Sequence, residues 1–293
     1  MQGENSTLKT VNPTILTITV LMENQTPNEE LVVEHGLSFH LQTGSKQILF
    51  DTGQSGVFLD NADKLEIDLG ELTDVVLSHG HYDHTGGLKR LLSAHNNFTI
   101  HAHPDAVITR YSIRDAANPR MIGIPAGCLE VLQQHGFEET SDWTTLANEI
   151  HITGAVPRVT SYEDTGGPFF LDADRVRPDP ITDDQALCFE GSEGLIIVLG
   201  CAHAGVINTV RYCREKTGIN KVHAIIGGFH LLNASPERME RTIEALKEID
   251  AALLSPCHCT GDTQTEQLRH AFPDRFQACH CGSRFEFGFV DKA

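Results

Sequence analysis

The sequence predicts an α/β protein. Short strand-like runs alternate with helix-like runs from one end of the chain to the other. The strand-like runs are apolar and often β-branched, and several lead directly into a histidine-bearing segment.

Taken in order, Thr14–Leu21 alternates β-branched and apolar residues as a strand does. Leu37–Gln42 and Gln47–Phe50 follow as two more strands, joined by the turn residues Thr43-Gly44-Ser45. Asp74–Leu77 is a short apolar strand, and Thr85–Ala94, with leucines at 88, 91 and 92, is a helix. Ile196–Leu199 and Val222–Ile226 are apolar strands, with helical spacing over Val206–Glu215 between them. Ser235-Pro236-Glu237 starts a helix well: a cap residue, proline at the first position, then an acid at the positive dipole end. Met239, Ile243 and Leu246 form its buried stripe. Leu253–Leu254 begins another strand and Phe285–Val290 forms the last. The stretch at about 104–180, rich in proline, glycine and arginine, is least regular, with one helix-like piece at Leu129–Gln134. It reads as a lid-like insertion in a single domain spanning 1–293.

Acidic residues outnumber basic ones, 40 to 22, giving a formal net charge of -18. Such a surface repels phosphate backbones, so nucleic acid is not expected as a partner. A bound dication would reverse the field locally, which leaves small anionic substrates open. The beginning, MQGENSTLKT, lacks the basic-then-apolar pattern of a signal peptide, and no apolar run reaches membrane-span length. A cytoplasmic location and reduced thiols are expected for the eight cysteines.

The chemistry concentrates in Ser78-His79-Gly80-His81-Tyr82-Asp83-His84. Imidazoles and a carboxylate this close form a ligand set for zinc, with iron or manganese also suited. In an extended loop His79 and His81 project to the same side and grip one ion. Asp83 and His84 point elsewhere and can serve a second, roughly 3.5–4 Å from the first as in two-metal sites. The plain alternative is a surface histidine tract that binds nothing. Its place at a strand end, with more histidines after later strands, argues against that.

His-x-His-x-Asp-His after a strand, with Leu49-Phe50-Asp51-Thr52-Gly53 upstream, resembles the metallo-β-lactamase superfamily. The resemblance implies an αββα sandwich of two mixed sheets flanked by helices. His203, in Gly200-Cys201-Ala202-His203-Ala204-Gly205, and His258, in Pro256-Cys257-His258-Cys259, match the superfamily's later histidines. The resemblance thus implies His79, His81 and His203 on one ion and Asp83, His84 and His258 on the other. Asp51 would orient ligands through hydrogen bonds. Glu34-His35-Gly36-Leu37-Ser38, the Gly-Cys-Ala-His-Ala-Gly run and Gly227-Gly228-Phe229-His230 further resemble a branch labelled as related to a dihydropterin ribofuranosylaminobenzene phosphate synthase. One departure stands out. The superfamily's bridging aspartate is absent, and Ile225-Ile226-Gly227-Gly228-Phe229-His230 holds only His230 as a candidate.

The expected activity is metal-dependent hydrolysis of a small phosphoester, carboxylic ester or lactone by a metal-bound hydroxide, with Asp83 accepting a proton. His230 is a second catalytic candidate, and Arg158 and Glu34 are expected on the substrate side. A transferase of pterin or folate-like metabolism is the alternative, and a non-catalytic metal-binding sensor is a third. The twin pieces Cys257-His258-Cys259 and Cys279-His280-Cys281 raise a further thiolate-rich zinc site, against the reading of ordinary reduced cysteines.

Overall fold

The computed structural model describes residues 14–147 and 149–289. One continuous 13-stranded sheet folds back on itself. Its first half runs from Thr14–Met22 through Ser38–Gln42, Gln47–Phe50, Asp74–Val76 and Thr99–Ala102 to Glu138–Glu139. Its second half runs from Ala186–Gly191 through Gly194–Leu199 and Val222–Gly228 to Leu253–Cys257. Arg284–Phe289 lies between them, paired along its length with Thr14–Met22 but touching Ala186–Gly191 only at Gly191 and Phe289. That single pair is the seam about which the halves stack face to face. The last residue of the expected strand Phe285–Val290, Val290, lies outside the described residues.

Alternation along the strands sorts side chains into layers. Ile48, Phe50 and Val76 turn inward with Ile196, Val198 and Ile226 to fill the space between the half-sheets. Leu49, Val75 and Leu77 turn outward under Phe58, Leu88 and Leu132 from helices. Ile197, Leu199 and Ile225 do the same under Val206, Val210, Met239 and Leu246. The result is the expected helix–sheet–sheet–helix sandwich of mixed strands. Apolar runs such as Leu195–Leu199 look unpatterned in the sequence because both of their faces are buried.

The expected helix Thr85–Ala94 is two pieces, Tyr82–Thr85 and Leu88–Ala94, parted at Gly86-Gly87. A Cβ on Gly86 would lie 1.9 Å from the Gln54 carbonyl, and one on Gly87 2.1 Å from that of Thr52. The break lets the Asp51–Gln54 loop press against the histidine loop. Part of the stretch at about 104–180, expected to form a lid, belongs to the main fold. Helix Ala126–His135 packs Cys128 and Leu132 into an outer core, and Ile150–Ile152 pairs with Ala186–Gly191 in the main sheet. These strands are short and carry polar residues in alternation, too brief to stand out by pattern. What remains above the sheet ends is a small sheet of Tyr111–Ser112, Arg120–Met121 and Phe169–Phe170, with its flanking loops.

Candidate metal centre

The strands Gln47–Phe50, Asp74–Val76, Gly194–Leu199, Val222–Gly228 and Leu253–Cys257 end on the same edge of the sandwich. The segments that follow them meet there. Several of their residues hold a left-handed backbone: Asp51 (φ 64°), Ala202 (φ 53°), His230 (φ 46°) and His258 (φ 53°). Non-glycine residues adopt this region at a cost, and such outliers gather where side chains must be aimed.

His79, His81 and His203 each present a ring nitrogen within 4.8 Å of the others, and all three are buried. His79 Nε2 and His81 Nδ1 stand 3.0 Å apart. The outer nitrogens are fixed by oxygens: Ser78 Oγ lies 2.9 Å from His79 Nδ1, and His203 Nδ1 donates to the Thr165 carbonyl at 2.9 Å. That bond sets the His203 tautomer and leaves its Nε2 a bare lone pair. The Nε2 atoms of His81, His203 and His258 have no hydrogen-bond partner among the described residues. Buried nitrogens rarely stay unsatisfied. The convergence of His79, His81 and His203 fits a dication with imidazole ligands. Burial pushes His79, His81 and His203 well below the usual histidine range, so all three are neutral.

Asp83 Oδ2 lies at the centre of a second group. His35 Nε2 is 3.1 Å away, His258 Nε2 3.4 Å and His84 Nε2 3.8 Å. Burial would raise the Asp83 carboxyl, but His84, His258 and His35 outweigh it and hold the group well below the usual carboxylate range. Asp51 Oδ2 accepts from His84 Nδ1 at 2.6 Å and from Ser78 Oγ at 2.6 Å, while its Oδ1 takes the Ser78 N–H. It braces residues of both groups without being in either. Burial opposes protonation of His84, yet Asp51 and Asp83 carry its pKa to about 9. His258 Nδ1 is held by Asn24 Oδ1 at 3.1 Å.

The structure brings together every expected ligand, and adds His35, which the sequence reading passed over. The signal was its place in Glu34-His35-Gly36-Leu37-Ser38, beside the expected site but far from the other histidines in the chain. His230 also arrives, its ring 4.1 Å from that of His203 and beside Phe169.

Arg158 does not face the site's cavity. Its guanidinium donates to the carbonyls of His203 at 2.6 Å and Pro180 at 2.7 Å, propping the His203 loop from behind. Glu34 is spent on the loop that follows Gln47–Phe50, accepting from the Gln54 and Ser55 N–H groups at 2.8 and 2.9 Å. In their place Arg114 and Arg120 line the cavity, Arg120 with Nη2 on Tyr82 Oη at 2.9 Å. The two Cys-His-Cys pieces do not come together as one thiolate cluster, and, among the described residues, only Cys259 of their cysteines falls in a possible metal-holding group, with Cys201 and His230. Cys257 and Cys279 sit in the apolar core between the half-sheets, and Cys281 Sγ donates to the Leu21 carbonyl at 3.2 Å.

Distant carboxylates hold the loops. Glu163 accepts from the N–H groups of Ile207 and Asn208 at 2.8 and 2.9 Å, capping the helix Val206–Thr217 that follows His203. Asp184 Oδ2 takes the Ala204 N–H at 2.8 Å, and burial pushes its pKa up to about 6. Above the donors opens a cavity of about 760 Å³, reaching His35, Asp83, His203 and His230 and walled by Phe169 and Tyr82.

Residues 32–258 match the sequence profile of the metallo-beta-lactamase superfamily. The chain is 32% identical, over 87% of its length and 90% of the relative's, to the 7,8-dihydropterin-6-methyl-4-(beta-D-ribofuranosyl)-aminobenzene-5'-phosphate synthase of Methanocaldococcus jannaschii. Its structure resembles that of Tm1679, described as a metal-dependent hydrolase of the beta-lactamase superfamily, with a TM-score of 0.78 and 30% identity over 93% of this chain and 99% of that one. Zinc-bound PqqB from Methylobacterium extorquens shares the fold at a TM-score of 0.56 and 13% identity, over 92% and 99% of the two chains. The profile match and the synthase relative, each spanning most of the chain, agree with the histidine geometry: this protein belongs to the metallo-beta-lactamase superfamily.

Proposed function

We infer that this protein is a metal-dependent hydrolase of small phosphoesters. The observation that carries this reading is the pairing of two adjacent cation-binding groups at the cavity floor with Arg114 and Arg120 on its wall. A dication held there supplies an acidified water nucleophile and charge stabilisation for the developing oxyanion. The residues themselves do the rest. His79, His81 and His203 form one binding position; Asp83, His84 and His258, with His35 beside Asp83, form the other. Asp83, kept ionised, accepts the proton of the attacking water. His230, on the cavity side of His203, stands where a leaving oxygen takes up a proton. Phe169 and Tyr82 exclude water around the reacting group, and the two guanidiniums orient a phosphate by charge-assisted hydrogen bonds. Zinc is the cation proposed, since the donors are mainly imidazole.

The test is turnover of bis(p-nitrophenyl) phosphate, p-nitrophenyl phosphate and p-nitrophenyl acetate by protein of known metal content. Phosphoester hydrolysis that chelation abolishes is expected; turnover of the acetate alone would refute the phosphoester reading. Arg114→Ala and Arg120→Ala should each raise KM for the phosphoester about tenfold, the worth of one charge-assisted contact, with metal content unchanged. Unaltered KM in both would place the phosphate elsewhere. A second reading, a pterin-pathway transferase, draws on the likeness to the synthase and on the aromatic walls given by Phe169, Tyr82 and His35. Tight binding of a reduced pterin to the cavity, with no phosphoester turnover, would favour it.

The two positions should load unequally. The imidazoles of His79, His81 and His203 have no proton to expel. That of Asp83, His84 and His258 must first displace the proton that His84 holds up to about pH 9. Its apparent affinity should therefore fall about tenfold for each pH unit below that value. Zinc titrations by calorimetry at two pH values check this: a pH-steep weak site beside a flatter tight one is expected. Equal affinities at both pH values would sink the idea.

A further inference from the structure

The geometry points to Cys201 as a thiolate ligand shared by the two cation positions, in the place where the superfamily's bridging carboxylate is missing. This rests on the reading that the site holds dications, and it adds a ligand of different chemistry to it.

Two dications a few ångströms apart repel strongly, and a shared anion normally offsets that repulsion. The strand Val222–Gly228 delivers no carboxylate to the site. Gly228 cannot carry any side chain there. A Cβ on it would lie 2.5 Å from the Gly200 carbonyl, 2.6 Å from Cys259 Sγ and 3.2 Å from Cys201 Cα. Sulfur and the backbone of the Gly200–Cys201 segment occupy that space.

Cys201 is the better placed of the two thiols. Its Sγ is 3.2 Å from His84 Nε2. It also lies with ring nitrogens of both His79 and His84 inside a 4.8 Å group. His79 belongs to one cation position and His84 to the other, so the sulfur is near a histidine of each. Cys201 is 3% exposed, and its residue lines the cavity. Cys259 groups only with Cys201 and His230, and its Sγ is turned to the Cys201 carbonyl at 3.5 Å. Cys259 also lines the cavity but groups with no histidine of either cation position, so Cys201 is the thiol assigned to the bridge. Ala202, between Cys201 and His203, is held in the left-handed region, which is the strain expected if both neighbours must be aimed at one centre.

The step is a ligand exchange. The Cys201 S–H bond breaks, its proton leaves to solvent, and sulfur lone pairs bind the cations with no change in oxidation state. A thiolate supplies the negative charge of the absent carboxylate and favours softer cations such as zinc over magnesium or calcium.

X-ray absorption of the full chain loaded with two equivalents of zinc at mildly alkaline pH tests this. About one sulfur neighbour per zinc at about 2.3 Å is expected. Cobalt-loaded protein should show thiolate-to-metal charge-transfer absorption in the near ultraviolet. Cys201→Ser should lose both signals and Cys259→Ser keep both. Half a sulfur per zinc would overturn the bridge in favour of a terminal ligand. Surroundings of nitrogen and oxygen alone would overturn thiolate ligation while leaving the two-cation reading standing. Loss of the signals in Cys259→Ser but not Cys201→Ser would assign the wrong cysteine. Failure to bind zinc at all would overturn both readings. The wild-type measurement decides even where Cys201→Ser fails to fold.

Discussion

His203→Ala and His81→Ala are each expected to lose most bound metal, whereas Cys279→Ala should keep its full complement. Removing even a hydrogen-bonding partner of a metal-ligating histidine costs about 10–100-fold in affinity, so removing the imidazole itself should cost more than about 100-fold. The rings of His79, His81 and His203 face one another within 4.9 Å between centroids. Phosphoester turnover should fall with the metal and return only in part at high zinc. Cys279 is buried in the core between the half-sheets, away from the cavity. Its truncation should cost stability of about 1 kcal/mol and leave metal content alone. Metal analysis after gel filtration reads both outcomes. One equivalent lost from Cys279→Ala would revive the thiolate site that the fold argues against. Full retention in His203→Ala would mean that the cation position lies elsewhere.

How far the site was legible in the sequence depended on where its parts lie along the chain. His79, His81, Asp83 and His84 announce themselves because four donors share one loop, and His203 and His258 because each follows an apolar strand. Asp51 was legible through its motif. His35 was not, since it lies far along the chain from the other donors and comes beside Asp83 through a close approach at Gly36, where a Cβ would lie 2.9 Å from the Asp83 carbonyl. The arginines show the opposite failure. Arg158 looked apt for a substrate, yet its guanidinium is consumed by backbone carbonyls, and that depends on tertiary contacts over 22 and 45 residues of sequence. Apolar runs such as Ile196–Leu199 and Val222–Ile226 stood out, while Thr99–Ala102 and Ala186–Gly191 were passed over and Thr144–Ala147 and Ile150–Ile152 were lost in the supposed lid. A three- or four-residue strand carries too little periodicity to identify itself.

Arg110, in the irregular stretch at about 104–180, makes the case most plainly. It is fully buried. Its Nε is 3.3 Å from Asp179 Oδ2, its Nη2 is 2.7 Å from Asp183 Oδ1, and Nη2 donates to the Asp105 carbonyl at 3.0 Å. The other oxygen of Asp183 accepts the Gly80 N–H at 2.7 Å. Gly80 separates His79 from His81, so the ion cluster holds the backbone between two proposed ligands. Arg110→Met keeps much of the volume but strands two buried carboxylates, which should cost about 3–5 kcal/mol. At roughly 2–4 °C per kcal/mol, the melting temperature should fall by about 6–20 °C. The loss should be largest at neutral pH. Burial already raises the Asp179 carboxyl despite Arg110, and without the guanidinium it should rise further. The folded variant then binds protons that the unfolded chain does not. Its stability therefore recovers as pH falls from the raised folded value toward the ordinary carboxylate range. Metal affinity should drop by about 10–100-fold with the loosened Gly80 loop. Adding Asp179→Asn and Asp183→Asn to Arg110→Met should restore much of the stability by removing the stranded charges. Thermal melts across pH, paired with zinc titration, separate these effects. An unchanged melting temperature in Arg110→Met, or a deficit that deepens on acidification, would show that the cluster does not hold the histidine loop by charge pairing.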